Sequence, residues 1–385
     1  MKRPFRLLPL ISLLLASCVG SQSALAPTKA AVAQSSPTIS LTTAPVQELG
    51  QPIYAVETFA TGIGFPTAMD FAPDGRLFVA EKNGAVRAIT PDGKASGPIL
   101  TLSNIDASGE RGLLGMTLDP SFADNGYLWV FYTRADARIN RVSRFAVQNN
   151  TAGDERVSFE FPIAFETSTI LNGGGLRFGP DGMLYISAGS TNNVAAANEQ
   201  NSPQGKIHRV DPASFPARPA PGNPDPASTI YARGLRNMFD FTFNPVNGWL
   251  YGADNGGDCD DEINLIVPGG DYGWHSDGLC EDNALPDNYP FRKPLLYFTP
   301  TISPTGITFY NGSVFPEWKD NLFFCSWHIG KLIRLELTDD GYHLHKSERI
   351  ETGIDQSCRL DVLPGPDGYL YYADITTVYR LVRAR

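Results

Sequence analysis

Runs of lysine and arginine are missing from this sequence, and without a basic patch it lacks the electrostatic footprint that binds a nucleic acid. Charge of either sign is scarce: charged residues make up 19% of the 385, with acidic residues ahead of basic ones by 41 to 31. Sulfur and imidazole are scarcer still, at five cysteines and five histidines. No Cys-x-x-Cys pair and no paired histidines accompany the cysteines, which argues against a structural zinc site. The apolar stretch from Leu7 to Leu15 falls well short of the roughly 20 residues that cross a bilayer as a helix. Hydrophobic residues reach 42%, enough for a sizeable core and too many for global disorder. The 37 glycines and 30 prolines are high for a helical protein and suit an all-β fold with many tight turns.

The N-terminus reads as an export signal. Lys2, Arg3 and Arg6 precede the apolar stretch, which closes on Leu15-Ala16-Ser17-Cys18. A small-residue run ending in cysteine resembles a bacterial lipobox, in which Cys18 carries the lipid and becomes the mature N-terminus. The rival reading is an ordinary signal peptide with a chance cysteine. Residues from about Val19 to Ala44 are rich in Ser, Ala, Thr and Pro and read as a flexible tether. The expected organisation is a signal peptide over 1–17, a lipidated tether over 18–50 and a folded domain over 51–385. Cleavage removes Lys2, Arg3 and Arg6 from the 31 basic residues, leaving 28 against 41 acidic, a net charge of −13. The protein is then exported and held at a bacterial membrane by its lipid alone. Val19 after Cys18 carries no aspartate signal for inner-membrane retention, which favours the outer membrane where there is one. Four cysteines remain, an even number in an oxidising compartment. Of the three possible pairings, Cys259–Cys280 and Cys325–Cys358 are expected.

A repeat runs through the chain. A short apolar strand, a turn built from Pro, Asp, Asn or Gly, and an aromatic and β-branched strand recur at 69–81, 116–133, 176–189, 241–254, 307–327 and 360–374. Each unit carries a hairpin signal, as in "FAPDGRLFV" and "LPGPDGYLYY", and several are followed by a further strand. Six units predict an all-β, six-bladed β-propeller of four-stranded antiparallel blades. The segment 53–63 precedes the first unit and is expected to supply an outer strand to the last blade, closing the ring. Spacings between turns vary from 47 to 73 residues, so the loops are unequal, and long loops on a rigid scaffold carry function.

Five stretches, in this order, resemble the soluble quinoprotein glucose dehydrogenase and aldose sugar dehydrogenase family: "GERGLLGMTLDPSFADNGYLWVFYT" (109–133), "NGGGLRFGPDGMLYISAGS" (172–190), "YARGLRNMFDFTFNP" (231–245), "DNGGDCDDEINLIVPGGDYGW" (254–274) and "SPTGITFYNGSVFPEW" (303–318). The resemblance runs from about Phe65 to Leu381. It implies pyrroloquinoline quinone and calcium at one end of the propeller axis, and oxidation of a sugar or alcohol CH–OH group with electrons passed to a further acceptor. By this resemblance Arg236 and Asn237 match an Arg-Asn pair beside the quinone, where a guanidinium stabilises developing negative charge. Gly256 and Gly257 match the carbonyl loop that binds calcium, with glycine in place of the usual proline at the second position. Asp261 belongs to the acidic loop that follows. Asn255 and Glu110 stand where members have glutamines that contact the cofactor. His328 aligns with a lysine that pairs with a cofactor carboxylate. Arg359 lies in "CRLD", where Cys358 and Leu360 occupy the places of two arginines; strand alternation would turn Arg359 to the other face.

One departure concerns the chemistry itself. The family's histidine base and the aspartate that orients it read here as Leu171 and Ser190, and leucine cannot accept a proton. His275, after "YGW", is the least poor substitute. Besides the dehydrogenase, two other readings stand. One is a propeller that binds carbohydrate or protein without turnover, with Trp274, Trp327 and Tyr272 available for stacking. The other is a calcium-dependent hydrolase, ranked last because no set of axial carboxylates or histidines is visible in the sequence.

Overall fold

The computed structural model describes residues 53–163, 169–274, 291–350 and 357–384. His275 and Cys280 lie outside the described residues. Six antiparallel sheets are present, and the first strand of each touches the first strand of its neighbours. These inner strands are Pro66–Phe71, Leu113–Leu118, Gly173–Phe178, Met238–Phe243, Pro304–Phe309 and Val362–Pro364. The ring closes as the sequence predicts: Tyr54–Thr61 pairs antiparallel with Thr377–Arg383 as the outer strand of the sixth blade. Five blades have four strands. The third has five, because Arg218–Pro219 and Ile230–Arg233 both pair with Lys206–Asp211 on either side of a proline-rich excursion.

The hairpin turns explain the repeat. Gly75, Gly182, Gly248 and Gly368 all have φ between 74° and 86°, a left-handed conformation that L side chains rarely adopt. Large rings fill the seams between blades. Trp129 of blade 2 is fully buried against Phe178 and Phe215, with centroids 5.9 and 5.8 Å away. A ring of this kind removes roughly 150–250 Å² from water, about 4–6 kcal/mol at 25 cal/mol per Å².

Near the axis, carboxylates staple one inner strand to the next. Asp70 accepts from the Leu118 amide at 2.8 Å, Asp240 from Ile307 at 3.2 Å, and Asp361 from Met69 at 2.6 Å. Arg177 of blade 3 pairs with Asp240 of blade 4 at 2.7 Å. The axial carboxylates that the sequence reading found lacking are therefore present. Asp70 and Asp240 sit in the inner strands of blades 1 and 4 and Asp361 immediately before that of blade 6, a convergence that sequence order conceals, and each is engaged by backbone amides. Burial, then the neighbouring Asp240, pushes the Asp361 carboxyl up to about 7, while Arg177 pulls it back. The cavity among Met69, Arg177, Asp240, Gly306 and Asp361 measures about 20 Å³, room for about one water. At this level the axis has no room for a ligand larger than water.

Candidate functional site at one end of the axis

Topology decides which loops meet. In an up-and-down blade, the segment before the first strand and the connection between the second and third strands lie at the same end. Glu110, Leu171, Arg236, Ser303 and Arg359 precede inner strands, whereas Lys82, Ser190, Asn255 to Asp260 and Trp327-His328 connect second to third strands. Glu110, Leu171, Ser190, Arg236, Asn237, Asn255, Gly256, Gly257, Asp261, Trp327, His328 and Arg359 therefore share one mouth, whereas Tyr272 and Trp274 fall in the connection between the third and fourth strands of blade 4. His275 lies outside the described residues.

The centre of the mouth is a carbonyl cradle holding a cation. Asp254 accepts from the Arg236 amide at 2.9 Å and from the Asn237 amide at 2.6 Å, which fixes the Arg-Asn turn. The Arg236 guanidinium then donates to the carbonyl oxygen of Asn255 at 2.8 Å and also to that of Gly256. A Cβ on Gly256 would lie 2.0 Å from the Cys259 carbonyl, so this loop admits only glycine there. Gly257 is open, with Arg236 Nη2 3.9 Å from where its Cβ would stand. Burial lowers the pKa of Arg236, against the pull of Asp254, Glu110, Asp261 and Asp258.

Asp261 shapes the cradle from behind. One carboxylate oxygen takes the Gly256 amide at 2.8 Å; the other takes Ile302 and Ser303 at 2.5 and 2.6 Å. Burial raises its pKa, offset by those three amides. Asn237 and Asn255 act as ties as well. Asn237 Oδ1 accepts from the Gly173 amide at 2.9 Å, and Asn255 Nδ2 donates to the Pro304 carbonyl at 2.7 Å, linking blades 3, 4 and 5. Among the described residues no three or more acidic, histidine or cysteine side chains gather into a metal cage. Backbone carbonyls remain the donors for a cation here, and oxygen donors of that kind suit calcium.

The rim is cationic and aromatic. The Arg359 guanidinium donates to the Trp327 carbonyl and lies 5.3 Å from the Trp327 ring centre. Trp327 meets Phe65 at 5.7 Å, and Phe65 in turn faces Lys82 Nζ at 5.8 Å. Arg359 therefore faces the mouth, contrary to the expectation from strand alternation. Residues 357–361 are not a strand, and pairing begins only at Val362, so alternation does not apply there. Exposed His328 contacts the Ser303 hydroxyl at 3.2 Å on the same rim. Lys82 and Asp254 were not read from the sequence. Lys82 could have been found by noting that it follows the second strand of blade 1, as Asn255 and Trp327-His328 do in blades 4 and 5.

Glu110 and Leu171 precede the inner strands of blades 2 and 3. Glu110 Oε2 accepts from the Leu171 amide at 2.7 Å, and the Glu110 amide donates to the Thr169 carbonyl at 3.0 Å. Glu110 is exposed as a residue, yet protein packed around its carboxyl raises its pKa; the Leu171 amide, Arg236 and Lys82 counter that rise. Leu171 is buried with φ 61°, a left-handed conformation that is an outlier for leucine and several-fold enriched for histidine. Ser190 is buried and its hydroxyl has no hydrogen-bond partner among the described residues. The backbone thus keeps a shape suited to a histidine and its partner, while the side chains differ.

One of the two expected disulfides is formed: Cys325–Cys358, with Cα atoms 5.0 Å apart. It ties the Trp327-His328 corner to Arg359. Cys259 is also in a disulfide, and its expected partner Cys280 lies outside the described residues.

The class that the fold and site define is a closed six-bladed propeller with a cationic, aromatic mouth and a glycine carbonyl cradle at one end of its axis. The family model for glucose and sorbosone dehydrogenases matches residues 63–383, and the chain belongs to that family. It is 27% identical to aldose sugar dehydrogenase YliI of Escherichia coli, over 82% of this chain and 88% of that one. Identity to quinoprotein glucose dehydrogenase B of Acinetobacter calcoaceticus is 25%, over 80% and 82%. The solved structure of the PQQ-bound aldose sugar dehydrogenase from Streptomyces coelicolor superposes with a TM-score of 0.73 at 25% identity, covering 86% of this chain and 99% of that one. No helix among the described residues is long and apolar enough to cross a membrane.

Proposed function

We propose that the protein oxidises a CH–OH group of a sugar or related alcohol, using pyrroloquinoline quinone with calcium and passing electrons to a further acceptor. The observation that carries this reading is the Arg236 head group seated on the Asn255 and Gly256 carbonyls, which marks a cradle built for positive charge at the end of the axis. The donor set fits both groups. Carbonyls of Asn255, Gly256 and Gly257 would hold the calcium once Arg236 yields them, and Lys82, His328 and Arg359 would meet the carboxylates of the quinone. When bound, the quinone supplies the oxidant and the calcium polarises it. Arg236 then stabilises negative charge developing beside it. Asp254 and Asp261 hold the loop in register, and the Trp327–Phe65 pair walls the mouth and limits water. Family membership weighs against the binding-only alternative, although Leu171 and Ser190 are what such a protein would carry.

Export and lipid attachment at Cys18 belong to the same proposal, and they would place the mouth outside the cytoplasm with an external acceptor. Reconstituting the purified protein with quinone and calcium, then following dye reduction with a panel of aldoses, tests the activity. Turnover that a chelator abolishes supports it. A protein that binds aldose but reduces no dye supports the binding-only alternative.

A further inference from the structure

We infer that Glu110 is the proton acceptor of this enzyme, replacing the imidazole that position 171 lacks. The inference rests on the proposed quinone-dependent reaction and deepens it.

The oxidation needs a base. As the substrate C–H bond breaks with its electron pair going to the quinone oxidant, the hydroxyl proton must leave so that C=O can form. Leu171 has no group that can take it, and Ser190 is buried with its hydroxyl unpaired. A titratable group is held there by Leu171 itself: Glu110 Oε2 accepts from the Leu171 amide at 2.7 Å. That bond anchors one carboxylate oxygen. The second, Oε1, has no hydrogen bond among the described residues and belongs to an exposed residue at the mouth. A carboxylate held by one oxygen and free at the other has the form of a general base.

The surroundings agree with this role. Gly109, at φ 56°, brings the chain against Thr169, and the Glu110 amide closes on the Thr169 carbonyl, so the loop is fixed on both sides of the carboxyl. The charged groups facing Glu110 are Arg236, from the segment before the inner strand of blade 4, and Lys82, from blade 1. Arg236 thereby acts on both the Glu110 carboxyl and the carbonyl cradle. Crowding of the carboxyl raises its pKa above the ordinary glutamate value, which makes it a better base for as long as it stays ionised. In the balanced step, the proton passes to Glu110 Oε1, the hydride to the quinone, and the substrate leaves as the carbonyl compound; Glu110 then releases the proton to solvent.

Glu110→Gln tests this assignment. The amide oxygen can still accept from the Leu171 amide, so the variant is expected to melt with the wild type and still to bind pyrroloquinoline quinone, followed by absorbance. With an aldose that the wild type oxidises, kcat is expected to fall roughly 10²- to 10⁴-fold with KM within about twofold. The acidic limb of the kcat–pH profile should disappear, and added formate or azide should restore part of the rate. Glu110→Gln combined with Leu171→His should recover activity by returning the base to position 171. If Glu110→Gln binds quinone and turns over at the wild-type rate with the same pH profile, the assignment is overturned while the dehydrogenase reading stands. A wild type that binds quinone and oxidises no aldose also overturns it. If the wild type binds no quinone, the reading beneath it fails first.

Discussion

Arg236 covers the carbonyl oxygens of Asn255, at 2.8 Å, and Gly256, so one side chain does in this structure what a metal ion would do. A guanidinium and a metal ion on the same two oxygens would repel each other. Arg236→Ala uncovers both carbonyls, and an uncovered, partly buried acceptor costs about 1–3 kcal/mol. The variant is therefore expected to melt several degrees lower in the absence of calcium. Adding calcium alone should raise its melting temperature more than that of the wild type, because the ion takes the vacated cradle. Equal calcium shifts in the two proteins would show that the guanidinium and the ion do not compete.

Arg177 is the counter-charge at the axis. Its pair with Asp240 is part-buried, and Asp361 and Asp70 lie within its field. Arg177→Met leaves buried carboxylates uncompensated and should cost about 3–5 kcal/mol at neutral pH. The pH dependence has a definite sign. A carboxyl whose folded pKa is raised contributes stability that is present below its ordinary value, near 4, and is lost as pH rises through the folded value, here about 7 for Asp361. Wild-type stability on this account declines from about pH 4 to pH 7. The variant should decline more steeply and further, so its deficit should shrink at pH 5. Denaturant titrations at pH 5 and pH 8 measure this, and a pH-independent deficit would contradict it.

The Cys325–Cys358 bridge closes a loop of 33 residues. Chain-entropy arguments give about 4 kcal/mol for a loop of that size. Replacing both cysteines with serine should lower the denaturation midpoint accordingly. Quinone affinity should fall too, since the bridge ties the Trp327-His328 corner to Arg359. Retained affinity in the double variant would show that the rim is held by other contacts.

Leu171→His and Ser190→Asp are expected to couple. The first puts a residue that tolerates φ 61° into a site where leucine is an outlier. The second alone buries a carboxylate where the serine hydroxyl has no partner, at a cost of several kcal/mol. Together the imidazole can meet the carboxylate, and the double variant should be more stable than the sum of the single changes by roughly 0.5–3 kcal/mol. Thermal melts of the four proteins complete the cycle; additivity would mean that the two side chains do not meet.

The scaffold was legible because its determinants are local. Turn glycines such as Gly75 and Gly368 sit inside a repeating pattern, and the closing strand was visible as a segment left over before the first unit. Cys325–Cys358 was legible because both residues flank strands of neighbouring blades. The mouth was legible only where a motif named its residues. Lys82, Asp254 and the axial set of Asp70, Arg177, Asp240 and Asp361 owe their proximity to ring closure, which sets Met69 against Asp361 across 292 positions. Arg359 was misread because alternation was applied to a segment that is not a strand.

The most direct test of the central claim is an equilibrium absorbance titration of the purified protein with pyrroloquinoline quinone, with and without calcium. The account predicts saturable binding near one quinone per chain that requires calcium and is reversed by a chelator. It also predicts weakening of at least tenfold in Arg236→Ala. No calcium-dependent spectral change at saturating quinone would contradict it.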